Sequence, residues 1–422
     1  MPTLMRRIEK WRPLEGLVLA SVLVLSFLIQ LLIMPDDFVG PDYETYLAQG
    51  QQARSAALWF DPTALGTNYW PVGYPAFLAA VLSVFGGSLR AVQYVQLGIA
   101  LTLAPLAWLI TRHISIQVRM VTFIAVALSP SVIWAAQNAG YEVLLSFLLC
   151  LTFACIWGRG GVPSGNQYWL GGLACAISGL AFGSAFLVQN KVLIVLPALI
   201  FLAVRWGRRS IITFSVVALL APTAWAIRNL AVVGTFSPIT NNASMNLWIG
   251  NNPLQTTGGF REPPPVPIEP ILGLDIYASN ALNYFITQPE ASFALFLRKG
   301  ARLLEPVFIY PNTQIFSGQF ALIHWFTIAM SIVVLVLFAA FAFGRLWVRP
   351  PSIPNVGPVA AFVLLFGFVH LPFLAEARFR VPVEPLVICV AVPTAFYLAK
   401  SIARGKRVRL QVGDEVDECR LN

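Results

Sequence analysis

Charged residues are scarce in this chain, and this scarcity is the first constraint on its class. Asp, Glu, Lys and Arg make up 11% of the 422 residues and hydrophobic residues make up 57%, with a mean hydropathy of +0.72. A typical soluble domain carries about 25% charged residues. The composition therefore excludes an ordinary soluble domain and predicts a protein that is largely embedded in a membrane.

Histidine and cysteine are also sparse, with 3 and 5 residues. The histidines are scattered, and four of the cysteines lie inside apolar runs while Cys419 lies in the C-terminal tail. No pair has the spacing of a metal site or an obvious disulfide, so we predict neither. The chain also lacks a convincing internal repeat, which weakens a transporter built from inverted repeats.

The net charge of +9 is distributed along the topology of the chain. Basic residues flank apolar runs at the N-terminus, at 205–209, at 345–349 and in the tail, which is the positive-inside pattern rather than a nucleic-acid patch. On this topology 18 of the 28 Lys and Arg lie inside, whereas 13 of the 19 Asp and Glu lie outside. Because acidic residues contribute little to topology, their excess indicates that the outer face is the working face.

The apolar runs predict an all-α polytopic membrane protein with about ten transmembrane helices. The segment 71–86 is apolar but short, and it is either re-entrant or part of a longer tilted span. The predicted spans are 14–34, 91–111, 119–136, 141–158, 169–188, 190–205, 211–229, 319–343, 356–374 and 381–399.

The spans leave two long outer loops in a single membrane domain that covers 1–422. The first loop, 35–90, carries an acidic motif, and the second, 230–318, carries apolar residues at helical spacing after residue 275. Pro289 divides this pattern into two amphipathic helices that suit the membrane surface. Residues 400–422 form a basic tail, which we expect in the cytoplasm together with the N-terminus.

Charges concentrate at two span ends, after the first span and before the last. The first cluster contains Asp36, Asp37 and Asp42, and the second contains Arg378 and Arg380. Charges at a bilayer edge are rare without a functional reason. The two clusters predict a site that holds a charged head group while its lipid tail stays in the membrane.

Four short motifs occur in order between residues 42 and 385. They are Asp42-x-x-x-Tyr46-x-Ala48, Tyr69-Trp70-Pro71-Val72-Gly73-Tyr74-Pro75, Trp225-x-x-Arg228-Asn229 with the later run Asn246 to Pro253, and Glu376-x-Arg378-Phe379-Arg380-x-Pro382-x-x-Pro385. The ordered set resembles the bacterial polyprenyl-phosphate-sugar-dependent membrane glycosyltransferases of the GT-C fold, the group of protein O-mannosyltransferases and the lipid A aminoarabinose transferase.

This resemblance implies a GT-C-like fold and an enzyme that moves a hexosyl or pentosyl group from a polyprenyl phosphate, with inversion, to an extracytoplasmic glycan, lipid or protein. The site would face outward from a bacterial inner membrane. The chain departs from the family pattern at Val72, where proline is usual, and at Phe379, where tyrosine is usual. No cofactor is expected.

The acceptor hydroxyl must lose a proton as it attacks the anomeric carbon, and a positioned carboxylate can take that proton. Asp42 is the candidate base, and its alternative role is that of a loop carboxylate or a helix cap. Asp36 and Asp37 are close in sequence, so either is an alternative base, and the three together could hold a divalent cation. Glu142 resembles a family glutamate that binds sugar or acceptor hydroxyls, or else it favours a helix N-terminus.

Arginine suits the donor phosphate because its guanidinium binds phosphate oxygens in a bidentate manner. Arg378 and Arg380 lie on the outer side, against the positive-inside bias, although arginines also anchor helix ends. Lys191 stands where relatives carry Arg-Pro, and it is either a further phosphate ligand or an ordinary loop lysine. The supporting candidates are Tyr46, Tyr74, Arg228, Glu376 and His370, the last of which is more typical of helix packing.

A flippase or transporter of lipid-linked sugars is the alternative function. It would need the same phosphate-binding arginines but no base, and it should carry charges in the middle of its spans. Here the acidic residues lie at span ends, which favours the enzyme.

Overall fold

The structure, a computed structural model, describes residues 2–34, 42–64, 70–157, 167–196, 208–240, 242–266, 275–305 and 356–400, with positions 329, 332, 333 and 336. Over these ranges every regular element is a helix. The helices are α1 Pro2–Leu32, α2 Tyr43–Arg54, α3 Ala57–Phe60, α4 Gly73–Val84, α5 Leu89–Ile110, α6 Ile116–Ala127, α7 Pro130–Gln137, α8 Glu142–Trp157, α9 Gln167–Val188, α10 Arg208–Val233, α11 Ala243–Gly250, α12 Ile276–Thr287, α13 Pro289–Leu304, α14 Val356–Phe368 and α15 384–400, with 3₁₀ segments at Asn190–Val195 and Ala377–Val383.

Six predicted spans are confirmed as helical stretches that are long and apolar enough to cross a membrane, so the chain is an integral membrane protein. Their exposed apolar side chains, such as Leu219, Leu220 and Ile227 on α10, are those of lipid-facing helices. The six stretches are Glu15–Leu32, Leu89–Ile110, Ile116–Gln137, Gly171–Val188, Arg208–Val233 and Ala377–Lys400.

The other four predicted spans are not established as full crossings. Helices α8 and α14 match 141–158 and 356–374 but are shorter apolar helices, while most of 190–205 and 319–343 lies outside the described residues. The 12 residues of α4 rise about 18 Å, less than a ~30 Å hydrocarbon core. Helix α4 is therefore too short to cross the bilayer by itself.

The centre of the fold brings distant parts of the chain to one place. Helix α8 packs against α5, α9 and the 3₁₀ segment Ala377–Val383. The Ser146 hydroxyl of α8 donates to the carbonyl oxygen of Val381 at 3.2 Å. Because the whole 3₁₀ segment is buried, the start of the last span is fixed beside the N-terminal end of α8.

Helix α4 approaches the end of α9 very closely. A methyl group at Gly73 would lie 2.6 Å from the backbone nitrogen of Val188, so only glycine fits there. Helix α2 in turn packs along α4. The glycine of the Pro71–Pro75 motif thus sets the position of the helix that begins after Asp42.

Candidate active site

Arg378 is the centre of a charged cluster drawn from three separate parts of the chain. Its Nη2 lies 3.0 Å from Oδ2 of Asp42, although the two residues are 336 positions apart in sequence. Its Nε lies 2.7 Å from Oε2 of Glu376, and its Nη1 lies 3.8 Å from Oε1 of Glu142. One guanidinium is therefore surrounded by three carboxylates.

The members of this cluster differ in their access to solvent. The side chains of Arg378 and Glu142 are 9% and 3% exposed, whereas that of Asp42 is 36% exposed. Buried charges are retained only where they are paired and hydrogen-bonded. Glu142 and Glu376 therefore hold the arginine in place, and Asp42 is the carboxylate of the three that an incoming molecule reaches most easily.

Asp42 occupies the N-cap position of α2, but its side chain makes no capping hydrogen bond. The backbone has a φ of 64°, a left-handed conformation that aspartate tolerates better than most residues. The carboxylate instead turns toward Arg378. Asp42 therefore stands at the cap position of α2, but its side chain does not cap the helix.

An aromatic wall adjoins the carboxylates. The ring of Tyr46 makes edge contacts with Trp70, Tyr74 and Tyr141 at centroid distances of 5.8, 5.1 and 6.3 Å. Burial, followed by the neighbouring Tyr141 and Asp42, raises the pKa of Tyr46 well above its usual value. Tyr46 therefore stays protonated and remains a hydrogen-bond donor beside Asp42.

Tyr74, a member of this wall, is anchored by a hydrogen bond. Its hydroxyl donates to Oε1 of Gln96 at 2.7 Å, and the Gln96 amide donates to the carbonyl oxygen of Asn138 at 2.6 Å. Neither Trp70 nor Tyr141 was among the predicted site residues. Trp70 lies inside the Tyr69–Pro75 motif and Tyr141 directly precedes Glu142, so their aromatic character within these stretches was the available signal.

Arg380 is engaged by the end of α13 and by the last span. Its Nη1 donates to the carbonyl oxygens of Leu303 and Glu305 at 2.6 and 3.1 Å, and its Nε donates to Glu384 at 3.3 Å. The buried Nη2 has no hydrogen-bond partner within the described part of the chain. Glu384, which is 3% exposed, was also missed in the sequence because it lies inside a motif dominated by its arginines.

Lys191 is distant from Phe379 in sequence but close to it in space. Its Nζ is 4.9 Å from the ring centroid of Phe373 and 5.4 Å from that of Phe379, while the Arg378 guanidinium lies 5.3 Å from the same Phe379 ring. Within the described ranges no carboxylate pairs with Lys191. His370 stacks on Phe379 at 5.2 Å and holds the carbonyl oxygen of Phe366 through Nδ1.

Arg228 is bound elsewhere. It donates to the carbonyl oxygens of Leu58 and Trp59 and stacks on Trp225 at 4.7 Å. None of its contacts in the described ranges reaches Asp42 or Arg378. Arg228 therefore ties α10 to the short helix α3 and is not part of the charged cluster.

The run Asn246 to Pro253 supports the segment before Glu376. A methyl group at Gly250 would collide with the carbonyl oxygen of Phe373. The amide of Asn251 donates to the carbonyl oxygen of Pro372 at 2.6 Å, and the backbone of Ala375 donates to Gly258 at 3.0 Å. This motif thus supports the backbone segment that leads to Arg378.

Lys299 of α13 lies buried against this motif. Its Nζ donates to Oδ1 of Asn251 at 2.7 Å, and no carboxylate of the described chain pairs with it. Burial lowers the pKa of Lys299 to about 7. In the unfolded chain a lysine has a pKa of about 10.4.

This difference predicts a pH-dependent stability. Between about pH 7 and pH 10 the unfolded state binds more protons than the folded state, so stability should rise with pH over that range. The rise should be smaller in Lys299→Met than in the wild type. Unfolding temperatures of the detergent-solubilised protein at several pH values measure it. Arg298→Gln, on the exposed side of the same helix, should keep the full rise, and an equal rise in Lys299→Met would contradict the prediction.

No group of three or more His, Cys, Asp or Glu is arranged to hold a metal ion in the part of the chain that the structure describes. Asp36 and Asp37 lie outside the described residues. The proposed cation site of Asp36, Asp37 and Asp42 therefore remains a prediction, as do the alternative bases.

The chain is similar to known proteins in structure only. No protein-family model matches the chain, and no curated protein matches it. Among solved structures, the chain is similar to the archaeal oligosaccharyltransferase AglB from Archaeoglobus fulgidus in complex with an inhibitory peptide and a dolichol-phosphate, with 13% identity and a TM-score of 0.46 over 92% of this chain and 52% of that chain.

A second similar structure is the Archaeoglobus fulgidus oligosaccharyltransferase tethered to an acceptor peptide, with 12% identity and a TM-score of 0.40 over 88% of this chain and 49% of that chain. The chain thus spans about half the length of these archaeal chains. At these identities and TM-scores the similarity carries no argument about function.

Proposed function

We propose that this chain is a membrane glycosyltransferase that moves a hexosyl or pentosyl group from a polyprenyl-phosphate donor to an acceptor outside the cytoplasm. The observation that carries the proposal is the contact of 3.0 Å between the partly exposed Asp42 carboxylate and the buried Arg378 guanidinium. A base and a phosphate-binding cation are the two groups that this transfer requires at one place.

The reaction that suits the cluster is a direct displacement. The acceptor hydroxyl oxygen attacks the anomeric carbon, Asp42 takes the hydroxyl proton, and the bond between that carbon and the phosphate oxygen breaks with its electron pair on the phosphate. The sugar inverts because attack and departure occur on opposite faces. Positioned carboxylates contribute typically 10²–10⁴-fold to such proton transfers.

Arg378 and Lys191 are proposed to bind the donor phosphate and to stabilise the charge that develops on it. Both flank Phe379, and Lys191 has no carboxylate partner among the described residues. Arg380 remains a weaker candidate, since its Nε and Nη1 are already engaged.

The remaining residues have supporting roles in this proposal. Glu142 and Glu376 orient Arg378, and Trp70, the partly exposed ring of the aromatic wall, offers the sugar an aromatic surface that the buried Tyr46 and Tyr74 support. The lipid tail would lie along the last span, whose first residues contain Arg378. The charge distribution supports a topology with both termini in the cytoplasm and the site on the outer side, and the resemblance to bacterial enzymes favours a bacterial inner membrane.

The test is to incubate the purified protein with a panel of polyprenyl-phosphate sugars and a membrane extract that supplies acceptors, and to measure released polyprenyl phosphate. Release from one donor would support the enzyme and identify that donor. Binding of the lipid without release from any donor would contradict the proposal and favour the flippase.

A further inference from the structure

Helix α13 presents a second apolar face that no described part of the chain covers. One face is buried and includes Ser292, Leu295, Lys299 and Leu303. The adjacent face carries Phe293, Leu297 and Leu304, which are 64%, 56% and 59% exposed. Their spacing of four and seven residues places them on one stripe, since side chains at such spacings share a helix face.

The opposite side of the same helix is polar and bound to the protein. Arg298 donates to the carbonyl oxygen of Thr256 at 2.6 Å, and Arg302 pairs with Glu305 at 3.2 Å. A helix with a narrow buried face, an open apolar stripe and a basic polar side has the pattern of one that lies in a membrane surface.

The position of the helix identifies what covers the stripe. The carbonyl oxygens of Leu303 and Glu305, at the C-terminal end of α13, accept hydrogen bonds from Nη1 of Arg380. Arg380 lies in the first turns of the candidate span Ala377–Lys400. The end of α13 is thus held at the level where a transmembrane helix begins, which is the edge of the hydrocarbon region.

Further exposed apolar side chains lie next to this stripe in sequence. Ile286, at the end of the preceding helix, is 70% exposed, and Phe296 of α13 is 37% exposed. An apolar surface of this kind, held at the bilayer edge, gains free energy when hydrocarbon rather than water covers it.

We propose that α13 is an in-plane docking helix whose stripe of Phe293, Phe296, Leu297 and Leu304 inserts into the surface of the same bilayer that the spans cross. The occupant is lipid hydrocarbon. Arg380 is the link between this helix and the charged cluster, because it binds the helix end and lies two residues after Arg378. The inference does not depend on the proposed transfer reaction.

The experiment places an environment-sensitive fluorophore on a single cysteine, at Phe293→Cys or at Ala291→Cys, after the five native cysteines are replaced. Ala291 is exposed on the polar side and is the matched control. In vesicles of phosphatidylcholine and phosphatidylglycerol, nitroxides on the acyl chains should quench the probe at 293 strongly and the probe at 291 weakly. Aqueous iodide should give the reverse order.

Equal quenching at the two positions would overturn the inference. Protection of position 293 from both quenchers would also overturn it, because another protein surface would then cover the stripe. The unmodified chain offers a second measurement in vesicles that contain a photoactivatable phospholipid. Crosslinks mapped by mass spectrometry should fall on Phe293 and Leu297 and spare Ala291 and Arg298, and the opposite distribution would contradict the docking helix.

Discussion

Replacement of Asp42 by asparagine should lower the rate of sugar transfer by about 10²–10⁴-fold. Asparagine keeps the size and the oxygen of aspartate, but it cannot take the proton of the acceptor hydroxyl. The fold should survive because the Asp42 side chain is 36% exposed and Arg378 keeps its contact of 2.7 Å with Glu376. Released polyprenyl phosphate, measured in single turnovers with the donor that the panel identifies, gives the rate.

Asp61→Asn is the matched control for this variant. Asp61 also lies in the first loop, but it is exposed and bonds to Thr63 at 2.7 Å. Its replacement should leave the transfer rate unchanged. A rate for Asp42→Asn within a few-fold of the wild type would show that Asp42 is not the base, and Asp36→Asn and Asp37→Asn would then be compared in the same assay.

Replacement of Arg378 by alanine should impair both stability and donor binding. Removal of this cation leaves the buried Glu142 and Glu376 without the guanidinium that neutralises them. Breaking a buried ion pair on one side costs about 3–5 kcal/mol. The unfolding temperature should therefore fall markedly, and binding of a polyprenyl-phosphate sugar should be weakened in the protein that stays folded.

Two further variants separate these effects. Arg378→Ala combined with Glu142→Gln should recover part of the lost stability, because the amide carries no buried charge, but it should not recover donor binding. Lys191→Met should weaken donor binding by roughly tenfold or more without the loss of stability, since Lys191 has no carboxylate partner in the described chain. An Arg378→Ala protein as stable as the wild type would contradict the central role of this residue in the cluster.

The sequence was sufficient for the class of protein and for the four charged residues of the cluster. The scarcity of charge and the apolar runs predicted an all-helical membrane protein, and six spans are confirmed. Carboxylates and arginines at span ends marked the residues that form the cluster, because such charges are rare near the hydrocarbon region. The prediction of about ten spans is not settled, since parts of four lie outside the described residues or form shorter helices.

The sequence by itself determined which residues are present at the bilayer edge, because hydropathy and charge depend only on composition and order. The tertiary structure alone decided which of them meet. It brings Asp42 to Arg378, directs Arg380 to the end of α13, and binds Arg228 to α3. Motif order cannot supply these contacts, because the direction of a side chain follows from the packing of its helix against helices that are distant in sequence.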